Sequence, residues 1–321
     1  MSVAREVDRG GADFAVSAAT QAHLDEAVPE NTRRAYRWAW GRFTVWCQEV
    51  GRTALPCSAE TLVEHVTHLR ALGAKPATID QAIGVILAEH NRVDAVLPRT
   101  KAARDSLRGY RRQLAEEGWT PKQATPFTED SLRQTIAALD PATLRGRRDH
   151  LLLVFGFEMM ARRSELAALA MADVVDGPEG LEVRVRWSKT DKQSQGRVVA
   201  LPAQKDAALD PVRLFRAWRA ERGDEGPLLC HLDLNGRVGG RLTGAGVNHA
   251  VRAAVKRAGL PDPDTYTAHS LRAGGLTDAL RRGVLLGIAA RHGGWDPESP
   301  TVLRYARAAD RWRDNAMAGA F

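Results

Sequence analysis

Apolar residues recur three and four apart in four stretches of the first third of the chain, and each stretch predicts a helix. In the first, Asn31 predicts an N-cap, Gly51 a stop, and Ala39, Trp40, Phe43, Trp46, Cys47 and Val50 an apolar stripe. Arg33, Arg34, Arg37 and Arg42 fall on its other side. The next three patterns run from Ser58 to Leu72, Ala77 to Arg92 and Thr100 to Glu117. Together they predict a small all-helical bundle over 29–118. Residues 1–28, rich in Ala, Gly and Asp, predict a flexible lead-in. The helical pattern breaks at Gly118 to Pro126, which holds two prolines, so 119–127 reads as a linker.

Past the linker, Thr128 can cap a new helix, and Arg148 to Met160 predicts an apolar one. The pattern then changes period. Leu181, Val183, Val185 and Trp187 alternate with Glu182, Arg184 and Arg186, which predicts a strand, and Arg197 to Leu201 predicts a second. The polar run Ser188 to Gly196 between them reads as the turn of a β-hairpin. Asp210-Pro211 predicts a helix start in cap-then-proline order, and Thr243 a cap for a helix to about Ala258. Residues 128–321 are thus expected to be mostly helical with a small antiparallel sheet. No internal repeat is evident.

Composition changes this picture in one direction. A net charge of +7 and a pI near 9.6 favour a polyanionic partner. Of 46 basic residues 39 are Arg, a bias that a GC-rich genome also produces. Cys47, Cys57 and Cys230 are odd in number and form no C-x-x-C pair, which argues against a disulfide framework and a structural zinc site. The polar N-terminus has no apolar signal region, and the most apolar run, Leu151 to Phe157, is too short to span a bilayer. A cytoplasmic protein with no membrane partner is expected.

The chemistry concentrates in the last half of the chain, at Arg162, Lys189, His269, Arg272, Trp295 and Tyr305. Two fixed cations, a histidine and a late tyrosine are what metal-free phosphoryl transfer to a tyrosine needs. Guanidinium groups clamp non-bridging phosphate oxygens bidentately, which assigns Arg162 and Arg272 that task, with Arg163 as competitor for the first position. Tyr305 is the candidate nucleophile, whose phenol has an ordinary pKa near 10 and needs a base. Taken alone, it reads more readily as a tyrosine packed on a late helix between Leu303 and Ala306; it is the company of the other motifs that favours the nucleophile. His269 and Arg272, three apart, share one face of a helix, and His269 can move a proton near neutral pH. Glu165, three residues after Arg162, either holds the site in register or forms a surface salt bridge. An ammonium at Lys189, or at Lys192, can protonate a leaving oxygen. No His spacing suits a metal, and no cofactor is expected.

The run Arg162-Arg163-Ser164-Glu165-Leu166, the tetrapeptide His269-Ser270-Leu271-Arg272 and Tyr305, 33 residues beyond Arg272, resemble the tyrosine recombinase (phage integrase) family. Gly293-Gly294-Trp295 resembles its Cre-like branch, and the likeness covers nearly the whole chain. One departure is Met159-Met160-Ala161, where many members have Thr-Gly-Leu. The other is one extra residue between Trp295 and Tyr305.

The resemblance implies a SAM-like core-binding, DNA-binding domain over 29–118 and a catalytic domain over 128–321, closing around duplex DNA as a clamp. It implies site-specific recombination through a 3′-phosphotyrosine intermediate and a Holliday junction, by a tetramer on inverted-repeat DNA. The carrier would be bacterial, phage or plasmid encoded, and nucleoid-associated. It gives His269 the role of assisting the nucleophile, places the catalytic lysine on the 188–196 turn, and makes the Trp295 indole a donor to the scissile phosphate. It puts Arg33, Arg34 and Gln81, with Asn248 and Arg252, in the major groove and Lys122 of the linker on DNA. Arg108, with Arg104, Arg111 and Arg112, adds a basic face on the fourth helix. At most 30 residues precede the first helix, so no arm-binding domain and no accessory protein are expected. A type IB topoisomerase or telomere resolvase would share these groups, and a DNA-binding regulator could keep the fold without the chemistry.

Overall fold

The computed structural model describes residues 16–20, 23, 30–121, 123–187, 196–233, 235–300, 302–305 and 317. The chain divides into two compact units, 1–121 and 122–321.

The first unit contains helices α1 (Glu30–Glu49), α2 (Ala59–Ala71), α3 (Pro76–Arg92) and α4 (Lys101–Glu116). Asn31 is not the cap expected from the sequence, because α1 is already helical at Glu30. Glu30 supplies the first-turn negative charge and pairs with Arg33 at 2.8 Å and Arg37 at 3.0 Å. Phe43, Trp46 and Cys47 of the apolar stripe are buried against Leu62, Ile79 and Leu107, whereas Val50 is exposed. Each such burial contributes roughly 1.5–3 kcal/mol, far more than the surface ion pairs. The loop entering α2 is tied to α3 by buried His90, whose Nε2 accepts the Cys57 N–H at 2.9 Å. With that nitrogen as acceptor, Nδ1–H donates to the Ile86 carbonyl at 2.7 Å.

The second unit is built round α6 (Leu144–Glu158), which begins four residues before the expected start because Thr143 caps it. Its residues from Leu151 to Phe157 are all buried, as suits a helix packed on every side. Around it lie α5 (Glu129–Ala137), the short α7 (Arg163–Ala168), α8 (Pro211–Arg222), α9 (Gly244–Arg257), α10 (Ala268–Arg281) and α11 (Leu286–Gly293). Thr128, Asp210 and Thr243 cap α5, α8 and α9 as expected.

The expected hairpin forms between β2 (Gly180–Val185) and β3 (Arg197–Pro202), with Leu181 opposite Leu201 and Val183 opposite Val199 on the buried face. A further strand, β1 (Val174–Gly177), completes an antiparallel sheet of order β1-β2-β3, and β4 (Cys230–Leu232) pairs with β5 (Val238–Arg241) in a second, two-stranded sheet. Trp187 lies beyond the end of β2 and is exposed. The fold is mostly helical with small antiparallel sheets. No described helix is long and apolar enough to cross a membrane.

Two contacts place α10. Gly274 and Gly275 let its backbone pass against Phe127 and Phe157, where a Cβ at either position would overlap a carbonyl oxygen. The Phe127 N–H also donates to the Ser270 carbonyl at 3.1 Å, fixing the first turn of α10 beside the segment that enters the unit.

Candidate active site

Arg162 sits immediately before α7, and that helix starts there for an electrostatic reason. The Glu165 carboxylate reaches back to accept the Arg162 N–H at 3.0 Å and its guanidinium at 2.6 Å. Glu165 is only 2% exposed, so the surface salt-bridge alternative does not hold. Arg163 is exposed on the next position, and it is Arg162 that faces the interior. The far end of α7 is held by Arg241 of β5, whose guanidinium donates to the carbonyls of Ala167, Ala168 and Leu169.

The turn before Arg162 carries Met160 where the resembled family's common Thr-Gly-Leu has glycine. Met160 has φ +48°, in the left-handed region where a glycine is unstrained. Its side chain compensates by packing with Leu276, Ala290 and Val302, and Trp295 and Tyr305 lie against the same cluster.

α10 carries His269 and Arg272. Thr267 caps it, and the Asn248 Oδ1 accepts the Ala268 N–H at 3.0 Å. Asn248, expected to read bases, is thus committed through its oxygen to the helix that bears the candidate site. Arg272 is 2% exposed, with Nη1 donating to the Met160 carbonyl and, at 2.7 Å, to that of Gly293. Its Nη2 is buried without a partner among the described residues. Burial first, then the positive charge of Arg162, pushes the Arg272 pKa down to about 9, which leaves it charged at neutral pH.

The turn after α11 gathers three arginines on three consecutive carbonyls. Arg197 donates to that of His292 at 3.0 Å, Arg272 to that of Gly293 at 2.7 Å, and Arg162 to that of Gly294 at 3.3 Å. These carbonyls lie at the negative end of a helix, where cations are favoured. Gly293 leaves room for the Trp295 ring, and Gly294 has φ +68°. Trp295 then lies flat beneath Arg272, whose Cζ is 3.5 Å from the ring centroid. His292 turns away, its Nε2–H donating to the Glu158 carbonyl at 2.7 Å, so Trp295 is the ring beside Tyr305, at 6.3 Å between centroids.

Tyr305 Oη is 2.7 Å from His269 Nε2. Burial pushes the phenol above its ordinary 10, against the pull of Arg272 and Arg304. Burial, then Arg272 and Arg162, pushes the imidazole below its ordinary 6.5. At neutral pH the pair is therefore a phenol and a neutral imidazole, whose Nε2, in the Nδ1–H tautomer, accepts the hydrogen bond from the phenol.

Arg197 is the residue the sequence reading missed. It carries no motif of its own and is recognisable only as an arginine opening a strand after a polar turn. Two guanidiniums, of Arg162 and Arg197, share the carboxylate of Glu165, and Arg272 adds a third positive charge, so the site is cationic and suits an anion. Lys189, its alternative Lys192, and Lys122 lie outside the described residues.

The expected DNA-facing residues of the first unit are at its surface. Gln81 is exposed on α3, Arg34 is exposed on α1, and Arg33 is partly exposed beside Glu30. Arg108 pairs with Asp105 at 3.1 Å, and Arg104 and Arg111 share Asp80 at 3.7 and 3.4 Å. Such pairs are worth about 0–1 kcal/mol each, so a phosphate can displace them. Arg252 is exposed on α9.

The profile of the phage integrase family matches residues 125–311. The chain belongs to that family, the tyrosine recombinases. This integrase-family chain is 28% identical over 301 residues to an integrase/recombinase XerD homolog of Selenomonas ruminantium, covering 92% of it and 86% of that protein. It is 23% identical over 305 residues to recombinase Cre of Escherichia phage P1, covering 89% and 86%. Its fold superposes with a TM-score of 0.61 on the Tn1549 transposon integrase in complex with transposon right end DNA, at 15% identity over 92% of this chain and 97% of that one.

Proposed function

We propose that the chain is a site-specific recombinase of the Cre-like type that cuts and rejoins DNA through a phosphotyrosine at Tyr305. The hydrogen bond from Tyr305 to His269, set beside Arg162 and Arg272, carries this reading. The Tyr305 oxygen attacks phosphorus while its proton passes to His269. The bond from phosphorus to the 5′ oxygen breaks, leaving a 3′-phosphotyrosine and a 5′-hydroxyl. Charge developing on the non-bridging oxygens meets the guanidiniums of Arg162 and Arg272, the latter with a buried donor still unused. The Trp295 indole, fixed by its stack on Arg272, is a further donor to the phosphate. Reversal by a partner strand's 5′-hydroxyl rejoins the DNA with no external energy, because the ester energy is kept. A tetramer on paired inverted-repeat sites would carry this through a Holliday junction. Arg33, Arg34, Gln81, Arg108, Lys122 and Arg252 supply DNA contacts, and Lys189 protonates the leaving 5′ oxygen.

Binding-site selection from random duplexes, followed by recombination between two copies of the selected site on a supercoiled plasmid, tests the reading. Deletion or inversion between the sites is expected. Relaxation of plasmids lacking the site, without recombination, would instead mean a topoisomerase.

Two predictions arise from the proton path. Cleavage in single turnover should fall about tenfold per pH unit below the His269 pKa. That limb lies on the acid side of 6.5, since the shift is downward. His269→Ala should be slower and lack the limb, and an acid limb that persists unchanged in His269→Ala would remove His269 as the base. Lys189→Ala should slow cleavage of an ordinary phosphodiester by on the order of 10²–10⁴ and be largely rescued by a 5′-bridging phosphorothiolate, whose thiolate leaves without a proton. Rescue with Lys192→Ala instead moves the acid along the turn.

A further inference from the structure

Arg197 opens β3 directly after the 188–195 segment that joins it to β2, and its guanidinium lies in the floor of the candidate site. Nη2 donates to Glu165 Oε2 at 2.8 Å, the carboxylate that also holds Arg162 by its guanidinium and its N–H. Nη1 donates to the His292 carbonyl at 3.0 Å. Nε has no partner among the described residues and stands against Gly294, where an added Cβ would be 2.6 Å from it. One side chain therefore ties the end of the hairpin to the acid that aims Arg162 and to the turn that presents Trp295. Each Nη has a protein acceptor, so the guanidinium is anchored to the Glu165 carboxylate and the His292 carbonyl.

We propose that Arg197 is a positioning residue of strand cleavage: it fixes the Glu165 carboxylate and the 292–294 turn, and through them the aim of Arg162 and Trp295. The proposal rests on the reading of this site as one that forms a phosphotyrosine. Its physical basis is geometric. A buried carboxylate held by two guanidiniums loses its alignment when one is removed, since the other then pulls it alone. The planar fork of arginine reaches two acceptors on two different elements at fixed angles, and the single ammonium of lysine does not reproduce that.

The test compares Arg197→Ala, Arg197→Lys, Glu165→Gln and the Arg197→Ala/Glu165→Gln double variant in the full chain. Single-turnover cleavage at saturating DNA, DNA affinity, and amide hydrogen exchange over residues 162–168 and 290–296 are measured for each. Arg197→Ala and Arg197→Lys should each cut the cleavage rate by about 10- to 100-fold with affinity within about threefold, as expected for displaced catalytic groups. In the Glu165→Gln background, Arg197→Ala should cost less than about a further threefold, because the two residues act as one unit. Exchange should quicken at the Arg162 amide and across 293–295, while the rest of the second unit is unchanged. Wild-type cleavage by Arg197→Lys would show that charge rather than the fork matters, and losses that multiply in the double variant would show independent action; either overturns the proposal. Should Arg197→Ala unfold, the same comparison is made with Arg197→Lys. If the wild-type chain forms no adduct, it is the phosphotyrosine reading that fails, and unchanged exchange in the variants would overturn the positioning role on its own.

Discussion

Tyr305→Phe is expected to bind DNA within about threefold of wild type and to form no covalent adduct, a loss on the order of 10⁴ or more in cleavage. The substitution removes one oxygen and leaves the ring in place. That ring packs with Trp295 and against the cluster of Met160, Leu276, Ala290 and Val302, so the local fold has little reason to change. His269 loses the partner 2.7 Å away and keeps its position on α10. Binding is measured by gel mobility, and cleavage with a nicked suicide duplex whose released fragment prevents religation. An adduct that persists in this variant would place the nucleophile elsewhere.

Arg272→Ala has the second-largest expected effect, a fall of about 10²–10³ or more in single-turnover cleavage, with DNA affinity changed by less than about tenfold. Three things are lost together. The guanidinium no longer meets the charge that develops on phosphate, the carbonyls of Met160 and Gly293 lose their donor, and Trp295 loses the plane it lies on. Leaving two buried carbonyls unpaired costs roughly 1–3 kcal/mol each, so thermal unfolding must be recorded beside the rate. Arg272→Lys separates the contributions. It keeps a charge but cannot bridge two carbonyls while stacking on an indole, so it should remain at least about tenfold impaired. Arg163→Ala, at an exposed position next to Arg162, should cleave at close to the wild-type rate. The reverse order, with Arg163 essential and Arg272 dispensable, would contradict the placement of the phosphate clamp.

The elements legible in the sequence are those whose cause is local. Thr128, Asp210 and Thr243 cap helices from one residue away, and the alternation from Leu181 to Val185 states its own buried face. What escaped depends on partners distant in sequence. The strands β4 and β5 are three and four residues long, and β5 contains two glycines, so neither shows a period. Met160 takes a left-handed conformation that its side chain would not suggest, stabilised by packing with α10 and α11. Asn248 reads as a polar surface residue until α10 brings the Ala268 N–H to it, 20 residues further along.

The candidate site divides the same way. Arg162, Glu165, His269, Arg272 and Tyr305 were marked by residue type and spacing together with the family resemblance, and Trp295 by the resemblance alone; the structure brings them together round one turn. Arg197 was not marked, because its importance lies in meeting Glu165 and His292, 32 residues before it and 95 after.

The central claim is that the Tyr305 oxygen becomes bonded to DNA phosphorus. The chain has four tyrosines, Tyr36, Tyr110, Tyr266 and Tyr305, so the attachment point is a discrete choice. After the wild-type chain is trapped on a suicide duplex of its selected site, nuclease and protease digestion followed by tandem mass spectrometry locates the nucleotide-bearing residue. The account predicts a 3′-linked nucleotide on Tyr305 alone. A nucleotide on any other residue, or cut strands that carry no protein, would contradict it.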